Sequence, residues 1–345
     1  MTQESPSTFL SLTREESEAR LVELGGKPFH ARIIRKELFE RGILSYEEMT
    51  SLRKDLRERL ATELPLFAGR EVDRISSSDQ TTKLLLQFPD GATVETVHMP
   101  SFKRGKGATL CVSTQVGCPV ACPFCASGKA GLVRNLAAHE IIEQYIAGQT
   151  LGPLSRSVVM GIGEPLLNFA NLSRALEVVR QDIGLGARKI TVSTVGFPER
   201  LRKAAEAGPQ FSLAISLHTP DDEQRWELVP AMAGVPIEDI LSAADHWFAT
   251  TGREVTYEYC LMGGTNDSIG HAERLGRRLK GRRCTVNLIP YNPIPGDEYQ
   301  RPDPEGVEEF RAALEAAGLV ATVRWSRGLD SDAACGQLRV HKLEA

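Results

Sequence analysis

Cys118, Cys122 and Cys125 place three thiols within eight residues, in the stretch Cys118-Pro-Val-Ala-Cys122-Pro-Phe-Cys125. Thiols this crowded have few uses besides holding metal. A zinc site closes with four ligands, usually two pairs some distance apart, and no second C-x-x-C or H-x-x-H pair follows downstream. A four-iron cluster also has four corners, so three cysteines leave one iron open to a ligand that is not protein. An open iron points to catalysis. The competing reading is a zinc knuckle completed by Cys111, which would make the chain a zinc-stabilised RNA-binding module without catalysis.

Other polar residues with chemical potential recur at the ends of apolar runs. Gly161-Ile162-Gly163-Glu164-Pro165 combines glycines that admit a ligand close to the backbone with a carboxylate able to accept from an ammonium. Ser193-Thr194, Ser216-Leu217-His218 and Asn287 close three further runs. Any one of them alone would fit a helix cap or a satisfied turn. Their common position at strand ends is what carries weight.

The elements that must position these residues alternate in type. Apolar, β-branched runs occur at 110–116, 157–160, 190–195, 211–217, 255–261, 284–289 and 319–325, and helical periodicity occupies 138–147, 172–180, 199–207, 237–248, 269–279 and 305–316. Strand-helix-strand repetition requires a parallel sheet with right-handed crossovers. The expected fold is α/β, a partial (β/α)6 TIM-like barrel, whose chemistry gathers at the carboxyl ends of its strands. Residues 101–330 form this core and 331–345 a C-terminal segment. Closing the barrel would bring Cys111 and Cys335, on its first and last strands, to one rim.

Ahead of the core, residues 1–66 read as a small helical accessory domain, with Phe29, Ile33, Leu38 and Phe39 as one apolar stripe. Its polar face carries Lys27, Arg32, Arg35, Lys36, Arg41, Arg53 and Lys54, which suits phosphate contact or plain solvation. Residues 67–100 read as a β-hairpin linker turning at Pro89-Asp90-Gly91. With a net charge of −4, an RNA partner requires the cations to be concentrated rather than spread. A second basic run, Arg274, Arg277, Arg278, Lys280, Arg282 and Arg283, fits either a phosphate track or the C-terminal dipole of a helix. Residues 1–13 contain no apolar signal core and no run is long enough to span a bilayer, so a cytoplasmic location is expected. In that compartment cysteines serve as ligands, redox thiols or small core residues, the last being the reading for Cys260 and Cys284.

The cysteine spacing, with Phe124 before the last thiol, resembles the signature of radical S-adenosylmethionine (SAM) enzymes. The stretches GCPVACPFCASGKAGLVRNL, VVMGIGEPLLN, KITVSTVG, SLAISLHTP, VNLIPYNPIPG and RWSRGLDSDAACGQL, in this order, resemble the RlmN family of RNA methyltransferases and, more loosely, their Cfr relatives. The resemblance implies a 4Fe-4S cluster on Cys118, Cys122 and Cys125. It implies SAM contacts from Gly163, Glu164, Ser193, Ser216, Leu217, His218 and Asn287. It also implies methylation of C2 of an adenosine in 23S rRNA, and of an adenosine in some tRNAs, with two SAM molecules per turnover and an electron donor such as flavodoxin or ferredoxin. In that scheme Cys335 carries the methyl group, Glu95 accepts a proton, and Cys111 attacks the sulfur of Cys335 to release the product, leaving a disulfide that cellular thiols reduce. C2 lies between two ring nitrogens and is too electron-poor to attack a sulfonium methyl, so a radical route is required. C8 methylation, as in the Cfr relatives, is the alternative that these motifs leave open. The chain departs from the family pattern at Asp330-Ser331-Asp332 and at residues 230–235, where substrate or loop packing can differ.

Overall fold

The computed structural model describes residues 7–340. Parts of the polar stretch 1–13 and of the segment 331–345 therefore lie outside the described residues.

Three helices open the chain: α1 (Arg14–Glu23), α2 (Pro28–Phe39) and α3 (Lys54–Glu63). A capping box starts α1, the Thr13 hydroxyl accepting from Glu16 N–H and the Glu16 carboxylate from Thr13 N–H. Periodicity alone misses this helix, because residues 14–20 are almost wholly polar. The stripe on α2 also turns out differently. Phe29 is 44% exposed, and Ala31, Ile34 and Leu38 face the shared core with Leu21, Leu56 and Leu60.

The expected hairpin is present as β2 (Thr82–Gln87) and β3 (Thr93–Met99), preceded by β1 (Arg70–Ser76). Charged side chains and near-complete exposure mark β1 as a solvated sheet edge. β3 pairs antiparallel with β4 (Ala108–Cys111), so the meander continues the barrel sheet and is no detached linker. Two short strands, β5 (Gln115–Gly117) and β6 (Leu132–Asn135), then form a ribbon around the cysteine loop and α4 (Ala126–Lys129). The run 110–116 is thus two strands.

The core follows as α5 (Ala138–Gln149), β7 (Leu154–Val159), α6 (Phe169–Val178), β8 (Ile190–Thr194), α7 (Pro198–Glu206), β9 (Ser212–Ser216), α8 (Asp222–Leu228), α9 (Ile237–Thr251), β10 (Val255–Leu261), α10 (Ile269–Leu279), β11 (Cys284–Pro290), α11 (Pro304–Ala316) and β12 (Val320–Val323). β4 and β7 to β12 are parallel neighbours in that order, giving six β/α units and a final strand.

The sheet runs from β1 to β12 without returning to its start. β4 has no edge left for β12, since β3 occupies it. Residues 324–340 cross that opening as a strap. Asp332 O accepts from Lys83 Nζ at 3.0 Å, Asp330 accepts from Ser78 N–H at 2.9 Å, and Arg339 N–H donates to Glu95 at 2.8 Å. The departures at Asp330-Ser331-Asp332 are therefore anchors of the strap on the β1–β2 turn, with Ser331 bonded to Ser77. Cys335 accordingly lies in a turn of this strap, and the expectation of a barrel strand is corrected. The reason is topological: the antiparallel meander takes the position that strand closure would need.

Candidate active site

The cysteine loop follows the first barrel strand, and its three thiols line one cavity of about 160 Å³ at the strand ends. Ala121, inside the loop, adopts φ 58, a strained conformation for a non-glycine residue. Burial pushes the Cys118 thiol up to about 12 and raises Cys122 well above the usual thiol range. The group beneath the loop is a cation. Arg225 is fully buried; its Nη2 donates to Val195 O and Ser216 O, while Nε and Nη1 have no partner among the described residues. A buried guanidinium with two unpartnered nitrogens is costly, and its charge acts on Cys122 and, more weakly, on Asp222. Three thiolates carrying an anionic iron-sulfur group would compensate it, so the residues present fit the cluster. Cys111 lines a different cavity, which removes the fourth ligand of the zinc reading.

The same cavity is lined by Gly163, Glu164, Ser193, Ser216 and His218, with Gly163 N–H and the Glu164 carboxylate beside Cys118. Gly163 has φ 110, and a Cβ there would stand 2.7 Å from the side chain of Gln115, so glycine is required. Glu164 is held by Thr194 Oγ1 at 2.6 Å and by the N–H groups of Val195 and Leu166 at 2.9 Å each. Burial pushes its carboxyl up and these three donors pull it back. A carboxylate has about four acceptor positions, so capacity for one ligand donor remains. Ser193 and Ser216 hydroxyls stand 3.3 Å apart. His218, at φ 67, accepts from Cys260 N–H through Nδ1, which leaves the ring proton on Nε2. Burial lowers its pKa to about 3, so it is a neutral donor.

Two expected contacts are not brought to this cavity. Leu217 is in the core, and Asn287 Nδ2 instead donates at 2.7 Å to Glu258, whose carboxylate does line the space. Cys260, expected as core, is buried and also lines it. Half-buried Cys284 lies at the opposite strand end.

A second cavity, about 210 Å³, is lined by Cys111, Val97, Met99, Arg324 and Trp325. Met160, Leu338 and Cys335 line both cavities. Cys335 is therefore shared between the cluster side and the Cys111 side. Its area is exposed although protein surrounds it densely; the flanking cavities reconcile the two, and burial still raises its thiol. Cys111 is pushed up to about 12 by burial, while Arg324 draws both thiols downward. Asn292 Nδ2 donates to Cys335 O at 2.9 Å, and Ala126 N–H, at the start of α4, donates to Gly336 O at 2.8 Å. The turn carrying Cys335 is thus pinned to the cysteine loop. Glu95 is buried on β3, 3.0 Å from Lys83 Nζ and bonded by Arg339 N–H. Arg225, Glu258, Asn292 and Arg324 escaped the sequence reading; only the stretches YNPIPG and RWSRG hinted at the last two.

The basic surfaces also change meaning. Arg35 is buried and paired at 2.9 Å with Asp182, which Arg14 joins at 2.7 Å, so it clasps the helical module to the barrel and cannot grip RNA. Arg35→Ala should cost about 2 kcal/mol of stability by leaving one oxygen of that largely buried carboxylate without its partner while Arg14 keeps the other, measured by urea unfolding; a loss below about 0.5 kcal/mol would refute the clasp. In the second run, Arg274, Arg278, Arg282 and Arg283 pair with Asp221, Asp222, Glu238 and Glu254. A phosphate track there is thereby largely neutralised.

The sequence profile of the Radical SAM superfamily matches residues 112–275, and that of the ribosomal RNA large subunit methyltransferase N-terminal domain matches residues 8–65. The chain is 44% identical over 339 residues to a probable dual-specificity RNA methyltransferase RlmN of Parasynechococcus marenigrum, covering 96% of this chain and 98% of the relative. A protein of the same description from Rhodopirellula baltica is 44% identical over 330 residues, 94% of this chain and 88% of its own. The crystal structure of a radical SAM methyltransferase from Sphaerobacter thermophilus superposes with a TM-score of 0.92 at 42% identity, covering 97% and 99% of the two chains.

Proposed function

Because the chain belongs to the RlmN family of radical SAM RNA methyltransferases, we propose that it methylates C2 of an adenosine in 23S rRNA, and of an adenosine in some tRNAs, through a methyl group carried on Cys335. The observation that supports this reading is the placement of Cys335 between two cavities, one bearing the cluster cysteines and the other Cys111. A carrier thiol must be loaded on one side and read out on the other.

Cys118, Cys122 and Cys125 would hold a 4Fe-4S cluster; Gly163, Glu164, Ser193, Ser216 and His218 would hold SAM, two molecules being used per turnover. When bound, they supply an electrophilic methyl group and one-electron chemistry able to remove a hydrogen atom, with flavodoxin or ferredoxin as electron source. The protein's own groups then have defined tasks. Arg324 favours the thiolate of Cys335 that accepts the methyl. Glu95, oriented by Lys83 and by Arg339 N–H, receives the proton lost from C2. Cys111, as thiolate, attacks the sulfur of Cys335: an S–S bond forms, the electron pair of the C–S bond passes to the methylene carbon on C2, and that carbon takes a proton to become the methyl group. Asn292 fixes the turn on which Cys335 depends.

Nucleoside mass spectrometry of rRNA and tRNA from a deletion strain tests the assignment. Loss of 2-methyladenosine is expected; loss of 8-methyladenosine, or no change, would sink it. RNA affinity should fall with salt through the exposed cations of the helical module. Replacing Arg32, Lys36 and Lys54 together by glutamine should reduce the slope of log Kd against log salt by about 2, and an unchanged slope would return them to plain solvation.

A further inference from the structure

The opening of the second cavity carries a side chain that neither the fold nor the thiol chemistry requires. Trp325 is 46% exposed on the strap, directly after Arg324 and ten residues before Cys335. The other two tryptophans have structural places: the ring of Trp247 is fully buried against Phe211, and Trp226 donates its indole N–H to Val235 O. Leaving an indole in water forgoes burial that a core position would supply. Around it are cations without carboxylate partners. Arg301 lies 5.9 Å from the Trp325 ring centre, and its own hydrogen bonds go to Tyr291 O and Asn292. Arg324 bonds only Met160 Sδ through its guanidinium, and no salt bridge is formed by either arginine among the described residues. Arg327, which also lines this cavity, is by contrast paired with Asp79 at 3.3 Å and lies 4.2 Å over the ring of Phe102, which is 80% exposed.

An open aromatic face flanked by unpaired guanidiniums is the combination that binds single-stranded nucleic acid, because every base has a π-face and every linkage a phosphate. We infer that Trp325 is a stacking platform for an unpaired nucleotide beside the base that enters the cavity, with Arg301, the guanidinium against its ring, facing the phosphate. The inference rests on the RNA methyltransferase reading and extends it to a residue that selects unpaired RNA. A base must leave its stack to reach Cys111 and Cys335, and its former neighbour then has a free face. Trp325 would replace the stacking lost, which makes entry favourable only where the neighbour is unpaired.

The test uses the full-length protein without SAM and an RNA hairpin whose loop presents unpaired adenosines. Trp325→Ala should raise Kd about 5- to 100-fold, Trp325→Phe should restore most of the affinity, and the melting temperature should not move for an exposed site. Intrinsic tryptophan fluorescence should be quenched by the hairpin in the parent protein and much less in Trp325→Phe, since Trp226 and Trp247 remain in both. Parent-like affinity in Trp325→Ala, undiminished quenching in Trp325→Phe, or equal quenching by a fully paired duplex would overturn the platform while leaving the RNA reading intact. Absence of any RNA binding by the parent protein would overturn both.

Discussion

Cys111→Ala protein incubated with SAM, reductant and RNA is expected to accumulate covalently joined to RNA, whereas Cys335→Ala protein is expected to show no attachment at all. The asymmetry follows from the cavities. Cys335 faces both, so its loss removes the one thiol among the described residues placed to take a group from the side of the cysteine loop and present it to the Cys111 side. Cys111 faces one, and its loss leaves the addition possible but removes the thiol that breaks the carbon-sulfur bond. A denaturing gel reads the result: a slow-migrating protein band that collapses on RNase treatment, present in Cys111→Ala and absent in Cys335→Ala. Activity lost equally in both with no adduct in either would count against these roles. Cys260, which also lines the first cavity, supplies a control. It does not line the cavity of Cys111, so Cys260→Ala should release product like the parent protein.

Alanine at Cys118, Cys122 or Cys125 is expected to abolish the broad visible absorbance of anaerobically prepared protein, each substitution by itself. A cube held by two thiolates surrenders a second iron to solvent. The surroundings sharpen the expectation for Cys122, because the buried Arg225 beneath it then faces no anionic cluster and remains an unpaired charge in the core. Cys122→Ala should therefore lose both iron and thermal stability. Normal iron content in that variant would end the cluster assignment, and a colourless parent protein carrying stoichiometric zinc would favour a binding module instead.

The elements of the barrel were legible because each is specified locally. A strand such as 255–261 is an uninterrupted apolar run, and a helix such as 269–279 shows its own stripe. α1 was missed for the same reason in reverse, being polar on nearly every side and stabilised by a capping box at Thr13 rather than by a stripe. Among site residues, the cysteine triad declares itself through spacing within one loop, and Glu164, Ser193, Ser216 and His218 through their position after strands. Leu217 and Asn287 have the same sequence signal yet do not reach the cavity, since neighbouring positions on a strand face opposite sides and a side chain can be claimed by another, as Asn287 is by Glu258.

By itself, then, the sequence determined what short-range periodicity and spacing can encode: the alternating core, the hairpin, three closely spaced thiols in one loop and a set of polar strand ends around them. Tertiary structure alone decided what depends on partners far along the chain. The charge of Arg35 looks like an RNA contact until Asp182, 147 positions away, is found against it, and the run beginning at Arg274 looks like a phosphate track until Asp221 and Asp222 neutralise it. Cys335 came to lie between two cavities only because β3 occupies the edge of β4, leaves the barrel open, and obliges the described residues after β12 to cross the gap as a strap fastened to Lys83, Ser78 and Glu95. Burial and charge compensation are properties of the whole packed chain, and no window of sequence contains them.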